Sequence, residues 1–157
     1  MTQKDILCEK ALKRFLDGYN CAQSVLLTMF EHWNGKNALI PKIATGFGAG
    51  IGRCGSVCGA LTGGVMAIGT RYGTNKPSSA KEKLQSYKLS QMLYREFELK
   101  HGSVHCRELI HYDLSDPEQL EMARSSKVFE EKCPFFVRTV IEILSDLNEP
   151  KKSVSGL

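Results

Sequence analysis

The sequence predicts an all-α fold: a compact bundle of about five to seven helices, with a glycine-rich loop before a buried central helix. Three observations carry this. Apolar residues recur at i, i+3, i+4 and i+7 in segment after segment. No segment sustains period-two alternation bounded by hairpin turns. Residues that start and stop helices stand at the ends of the periodic stretches. With 157 residues, 42% of them apolar and 24% charged, the chain is long enough to bury one full core. A single helical domain over residues 1–148 and a flexible tail over 149–157 are expected.

Taken in order, residues 3–16 place Cys8, Ala11, Leu12 and Phe15 on one helical face, and Gly18 ends the run. Asn20 can cap a second helix from Cys21 to about Trp33, whose core side is Ala22, Val25, Leu26, Met29 and Phe30. A turn around Gly35 precedes a short third helix after Pro41. Five glycines then crowd into ten residues: Gly46, Gly48, Gly50, Gly52 and Gly55. The stretch from about Cys58 to Tyr72 reads as a buried helix. Its Gly59, Ala60, Gly63, Gly64 and Ala67 let neighbouring backbones come close, so packing rather than propensity must hold it. A long helix from Ser79 to about Lys100, stopped by Gly102, would turn Leu84, Tyr87, Leu89, Met92, Leu93 and Phe97 inward. A short helix or turn surrounds Cys106, and another short helix starts at Pro117. The last runs from Pro134 to about Leu147, with Val137, Val140, Ile141, Leu144 and Leu147 as its stripe.

The net charge is +4, and the basic residues are scattered. No basic run interleaves with aromatics, so no nucleic-acid partner is expected. The opening MTQKDILCEKALKRF is charged throughout and lacks the apolar stretch of a secretory signal. The longest uncharged stretch, between Arg53 and Arg71, falls short of the ~20 apolar residues of a membrane span. Stable membrane insertion is therefore not expected.

Six cysteines are many for a chain without an export signal, and a core of this size needs no disulfides. Metal, cluster or thiol chemistry is the sharper reading, against small buried hydrophobes. Glycines in a run can adopt positive φ and turn several N–H groups toward one point, where they bind an anion or a sulfur. Gly48, Gly50, Gly52 and Gly55, with Gly59 just beyond, are thus candidate cofactor-binding positions. Cys58 opens a helix, where unpaired N–H groups favour a thiolate, and Cys54 lies four residues before it; this pair is the candidate catalytic pair. Gly50, Gly52 and Gly55 also satisfy G-x-G-x-x-G, but no strand precedes them and no acidic residue follows about 20 residues on, as a dinucleotide fold requires. Cys21 and Cys133 stand at helix starts and Cys106 in a turn. With Cys58 they could converge at one end of a bundle, where four thiolates need a metal, a cluster or oxidation to offset their charge. There is no C-x-x-C, which disfavours a thioredoxin-type dithiol or zinc ribbon, and no C-x-x-C-H for haem. His101 and His105 are separated by Gly102, so all four histidines read as surface residues. Cys8 lies on the first helix's apolar stripe and reads as core.

These segments together resemble the C-GCAxxG-C-C family, named for its cysteine pattern. GYNCAQSVL around Cys21 is similar to the family's first cysteine segment, and GFGAGIGRCGSVCGALTGG to its central motif. Cys106 and Cys133 follow in the family's order, and the resemblance spans roughly residues 5–147. It implies a cytoplasmic redox-active protein with an unknown redox partner. A similar cysteine pattern occurs in the iron–sulfur part of split-Soret cytochromes. That implies Cys21, Cys58, Cys106 and Cys133 as ligands of an iron–sulfur cluster serving electron transfer, with Cys54 a spare or exchange ligand. Iron is favoured by the redox resemblance; zinc, or no metal, is the alternative. Two other readings stay open. One is a thiol–disulfide oxidoreductase or redox sensor, with Cys58 attacking and Cys54 or Cys21 resolving. The other is a metal-stabilised, non-catalytic interaction module. The small-residue helix surfaces would suit a homodimer.

Overall fold

The structure, a computed structural model, describes residues 1–147; the tail expected over 149–157 lies outside them. In chain order the helices are α1 (Gln3–Leu16), α2 (Cys21–Asn34), α3 (Leu39–Ile43), α4 (Gly48–Ile51), α5 (Gly59–Tyr72), α6 (Ala80–His101), α7 (Cys106–Ile110), α8 (Pro117–Ser125), α9 (Val128–Glu131) and α10 (Cys133–Asp146). Six of these have nine residues or more, and no strand occurs among the described residues. The all-helical class is as the periodicity predicts; the shortest turns, such as α9, carry too few residues to show a period.

Local chemistry sets the boundaries. Thr2 caps α1 through a reciprocal box with Asp5, and Asn20 caps α2 through one with Gln23. Gly102 closes α6 in the left-handed region, and Asp116 caps α8 ahead of Pro117. Pro41 lies inside α3 rather than before it, because a proline in the first helical turn gives up no intrahelical hydrogen bond.

The core gathers round α5, which packs against α2, α6 and α10, while α1 lies across α10 and α2. Leu26, Met29, Leu61, Ile68, Leu93, Phe97, Ile141 and Leu144 are fully buried there. The small residues of α5 make this possible. A Cβ on Gly63 would stand 2.5 Å from the Ala22 carbonyl oxygen, and one on Gly64 would stand 2.6 Å from a Val140 methyl. The small faces of α5 are thus spent on α2 and α10 within one chain. Arg14 ties α1 to α2, donating to Thr28 Oγ1 at 2.9 Å and to Glu31 at 2.5 Å.

On α6 the expected inward face is only half realised. Leu93 and Phe97 are buried, but Leu84 and Tyr87 are exposed. The helix has 22 residues, and among the described residues its first half buries no side chain fully, so helical spacing alone overstates the core face.

The glycine run is stranger than its composition suggests. Ala49, Gly50, Ile51, Gly52 and Arg53 all have positive φ, between 55° and 71°, so α4 is largely a left-handed turn. Each non-glycine residue there costs about 1–2 kcal/mol. Hydrogen bonds from Gly52 N–H to the Gly46 carbonyl and from Ser56 N–H to the Gly50 carbonyl, both 2.9 Å, hold the turn. This reverses the usual order of small residues. At the exposed Arg53, the Arg53→Gly variant should be more stable than Arg53→Ala by about 1 kcal/mol, read from urea unfolding of the metal-free chain. An alanine variant that equals or exceeds the glycine variant would deny the strain.

Candidate four-cysteine centre

Four helix starts meet at one cavity. Cys21 is the first residue of α2, Cys106 of α7 and Cys133 of α10, and Cys58 immediately precedes α5. All four line a single cavity of about 220 Å³ whose walls are otherwise almost wholly apolar, among them Phe15, Leu114, Phe129 and Phe136. The placement follows from local chemistry. The Asn20 box fixes where α2 begins, and hence where Cys21 points. Cys58 and Cys106 are registered by a short antiparallel pairing. Cys58 N–H donates to the Val104 carbonyl at 2.8 Å, and Cys106 N–H to the Ser56 carbonyl at 2.7 Å. Cys133 enters through the turn that joins α9 to α10, with Pro134 in the first helical turn behind it.

Burial dominates the acidity of these thiols. It pushes Cys58 well above the usual thiol value, and the charges of Cys21, Cys106 and Cys133 push it further. Cys106 is raised to about 12, by burial first and then by Cys21. Cys133 is raised by burial and by Cys21, Cys106 and Glu130. Cys21 is also raised by burial, and the nearby backbone N–H groups of Ala49, Ala22 and Ala60 oppose this in part. At Cys58 burial and the neighbouring thiols thus oppose the thiolate that a helix start favours. Without a cation the centre is four neutral thiols, and a bound cationic group would reverse that balance.

The other cysteines stand apart. Cys54 is exposed on the loop and does not line the cavity; its carbonyl accepts from Arg107 at 3.4 Å. Cys8 is buried where α1 packs on α10, with its sulfur 4.0 Å from the Arg138 carbonyl. Of the candidate glycines, Gly59 lines the cavity, and a Cβ there would run into the Cys21 sulfur. Gly50 lies against Cys106, Gly48 against Asn20 and Gly55 against Arg107, while Gly52 faces open space. The histidines stay out of the cavity lining. His101 is not a surface residue but half-buried, sharing a hydrogen bond of 2.9 Å with Thr139 and set between Phe97 and Phe136.

Two contributors escape sequence reading. Ala49 brings its N–H near Cys21 only because the chain is left-handed there, and nothing in an alanine signals that. Asn20 is legible as a cap, but its second bond, from Nδ2 to the Thr45 carbonyl at 2.9 Å, joins segments remote in sequence. Among the described residues, no three His, Cys, Asp or Glu side chains are gathered closely enough to hold a single metal ion. The thiols surround a volume rather than a point.

Helical architecture and site together define a small all-α protein in which four cysteines line one apolar cavity. The chain belongs to the family described as "Putative redox-active protein (C_GCAxxG_C_C)", whose model matches residues 19–147. That membership supports a redox role. No curated protein and no solved structure matches the chain. No helix among the described residues is long and apolar enough to cross a membrane.

Proposed function

We propose that this protein is an electron carrier whose Cys21, Cys58, Cys106 and Cys133 hold an iron–sulfur cluster. The observation that carries the reading is that four cysteines, each at a helix start, line one apolar cavity. The donor set fits the group: four thiols and apolar walls, with backbone N–H groups of Ala49, Ala22 and Ala60 near Cys21. Iron is favoured over zinc by the redox role that the family description supports. When bound, such a cluster supplies one-electron transfer at a potential set by sulfur hydrogen bonds, charge and exposure.

The chain's own residues do the rest. The thiols release their protons on binding, and the positive ends of the helices favour the resulting negative charge. Phe15, Phe129 and Phe136 keep water from the sulfurs. The Ala49, Ala22 and Ala60 amides stabilise charge on sulfur and so favour the reduced form. Six free thiols suit a reducing compartment such as the cytoplasm.

The test is anaerobic purification or reconstitution, with iron and sulfide analysis and a visible absorption spectrum. Cys58→Ser should drop bound iron by at least about tenfold, since a missing thiolate leaves the group under-ligated. Cys54→Ser and Cys8→Ser should bind as the parent does. Stoichiometric zinc without iron would refute the cluster. Paired loss of cavity thiols under mild oxidant, in a chain that never takes iron, would replace it with disulfide chemistry.

A further inference from the structure

The left-handed turn is costly, so something outside it must keep it in place. Five consecutive residues have positive φ, Ala49, Ile51 and Arg53 among them without a glycine's freedom. Just before the turn the chain passes hard against one side chain: a Cβ on Gly48 would stand 2.6 Å from Asn20 Nδ2. Asn20 uses both ends of its amide. Its Oδ1 accepts from Gln23 N–H at 2.9 Å, capping α2, and its Nδ2 donates to the Thr45 carbonyl at 2.9 Å. Gln23 reinforces the junction, donating from Nε2 to the Pro41 carbonyl at 2.9 Å and to Thr45 Oγ1 at 3.0 Å. Beyond this junction the first left-handed residue, Ala49, lines the cavity with Cys21.

We propose that Asn20 is a positioning residue, a latch that fastens the left-handed turn 49–53 to the start of α2 and so keeps the Ala49 backbone beside Cys21 in the cavity wall. Its effect on the cluster rests on the ligand reading above; its effect on the turn does not. Because residues 49–53 are strained, the turn relaxes when a fastener is lost, and Ala49 is withdrawn first. The amide side chain is suited to this: one group can cap α2 and donate across to the 45–48 segment together.

The experiment uses Asn20→Ser and Asn20→Asp. Both keep an oxygen for the α2 cap, and both lose the Nδ2 donor. In the metal-free chain, trypsin should cut after Arg53 at least about fivefold faster than in the parent, the worth of one hydrogen bond. Amide exchange over residues 48–56 should quicken, with the helical circular dichroism unchanged. In the iron-loaded chain the midpoint potential should fall, because the Ala49 N–H moves away from Cys21. Unchanged cleavage and exchange at the turn in both variants would overturn the latch. So would acceleration spread evenly along the chain, which would make Asn20 only a helix cap. A parent chain that binds no iron refutes the ligand reading, while the proteolysis of the metal-free chain still decides the latch.

Discussion

Gly63→Ala should destabilise the protein by about 2 kcal/mol, although alanine ordinarily strengthens a helix. The added Cβ would meet the backbone of α2, 2.5 Å from the Ala22 carbonyl oxygen and 3.0 Å from its Cα. Backbone cannot swing aside as a flexible side chain can, so α2 and α5 must part. Overpacking of this kind costs about 1–3 kcal/mol, occasionally more, and the gain of ~1 kcal/mol in propensity offsets part of it. Gly69, on the same helix, has nothing within 4 Å of its missing Cβ, and Gly69→Ala should stabilise by about 0.5–1 kcal/mol. Gly59→Ala should add a chemical loss, because its Cβ is directed into the Cys21 sulfur. Bound iron should fall with it. Thermal melting of the three variants checks the order, and a Gly63 variant as stable as the parent would show that the two helices are not in backbone contact.

The second large effect lies in thiol reactivity. The metal-free protein treated with iodoacetamide near pH 8 should be alkylated first at the exposed Cys54. Cys106, raised from 9.0 to about 12, should react roughly a thousandfold more slowly than a thiol at the ordinary value, on thiolate fraction alone. Cys58, raised well above the ordinary value and buried, should also resist. The same shifts fix the sign of the pH dependence. A thiol whose folded pKa is raised adds stability that is fully present below about pH 9 and is lost as pH rises through the folded value. Cys8, raised to about 11 by burial, and Cys106, raised to about 12, should therefore make the metal-free chain unfold progressively from about pH 9 upward. Mass-mapped alkylation rates and melting temperatures between pH 8 and 11 test both statements. Rapid labelling of Cys58 at pH 8 would restore it as an attacking thiolate.

Helix positions were legible because caps and periodicity are local. Asn20, Gly102 and Pro117 mark their boundaries by side-chain chemistry that needs no knowledge of the rest of the chain. The close approach of α5 to α2 was legible too, since Gly59 and Gly63 one turn apart have few other uses. What the sequence hides is tertiary. Leu84 and Tyr87 have helical spacing, but whether another element covers them depends on where the bundle ends. The sense of the turn at Ala49 and Ile51 is hidden because propensity argues against it; only contacts made by distant segments enforce it. For the four cysteines, order and residue type suggested convergence. The pairing of residues 55–58 with 104–107 that aligns two of them has no pattern to read, since only one residue pair, Val57 and His105, forms a bridge.

The first and last cavity cysteines, Cys21 and Cys133, lie more than a hundred positions apart, and this has a consequence for biogenesis. A nascent chain leaving the ribosome exposes Cys21 early and cannot complete the pocket until the final helix has emerged. If the four thiols hold a cluster as proposed, loading follows synthesis, and a fragment ending before α10 should bind no iron.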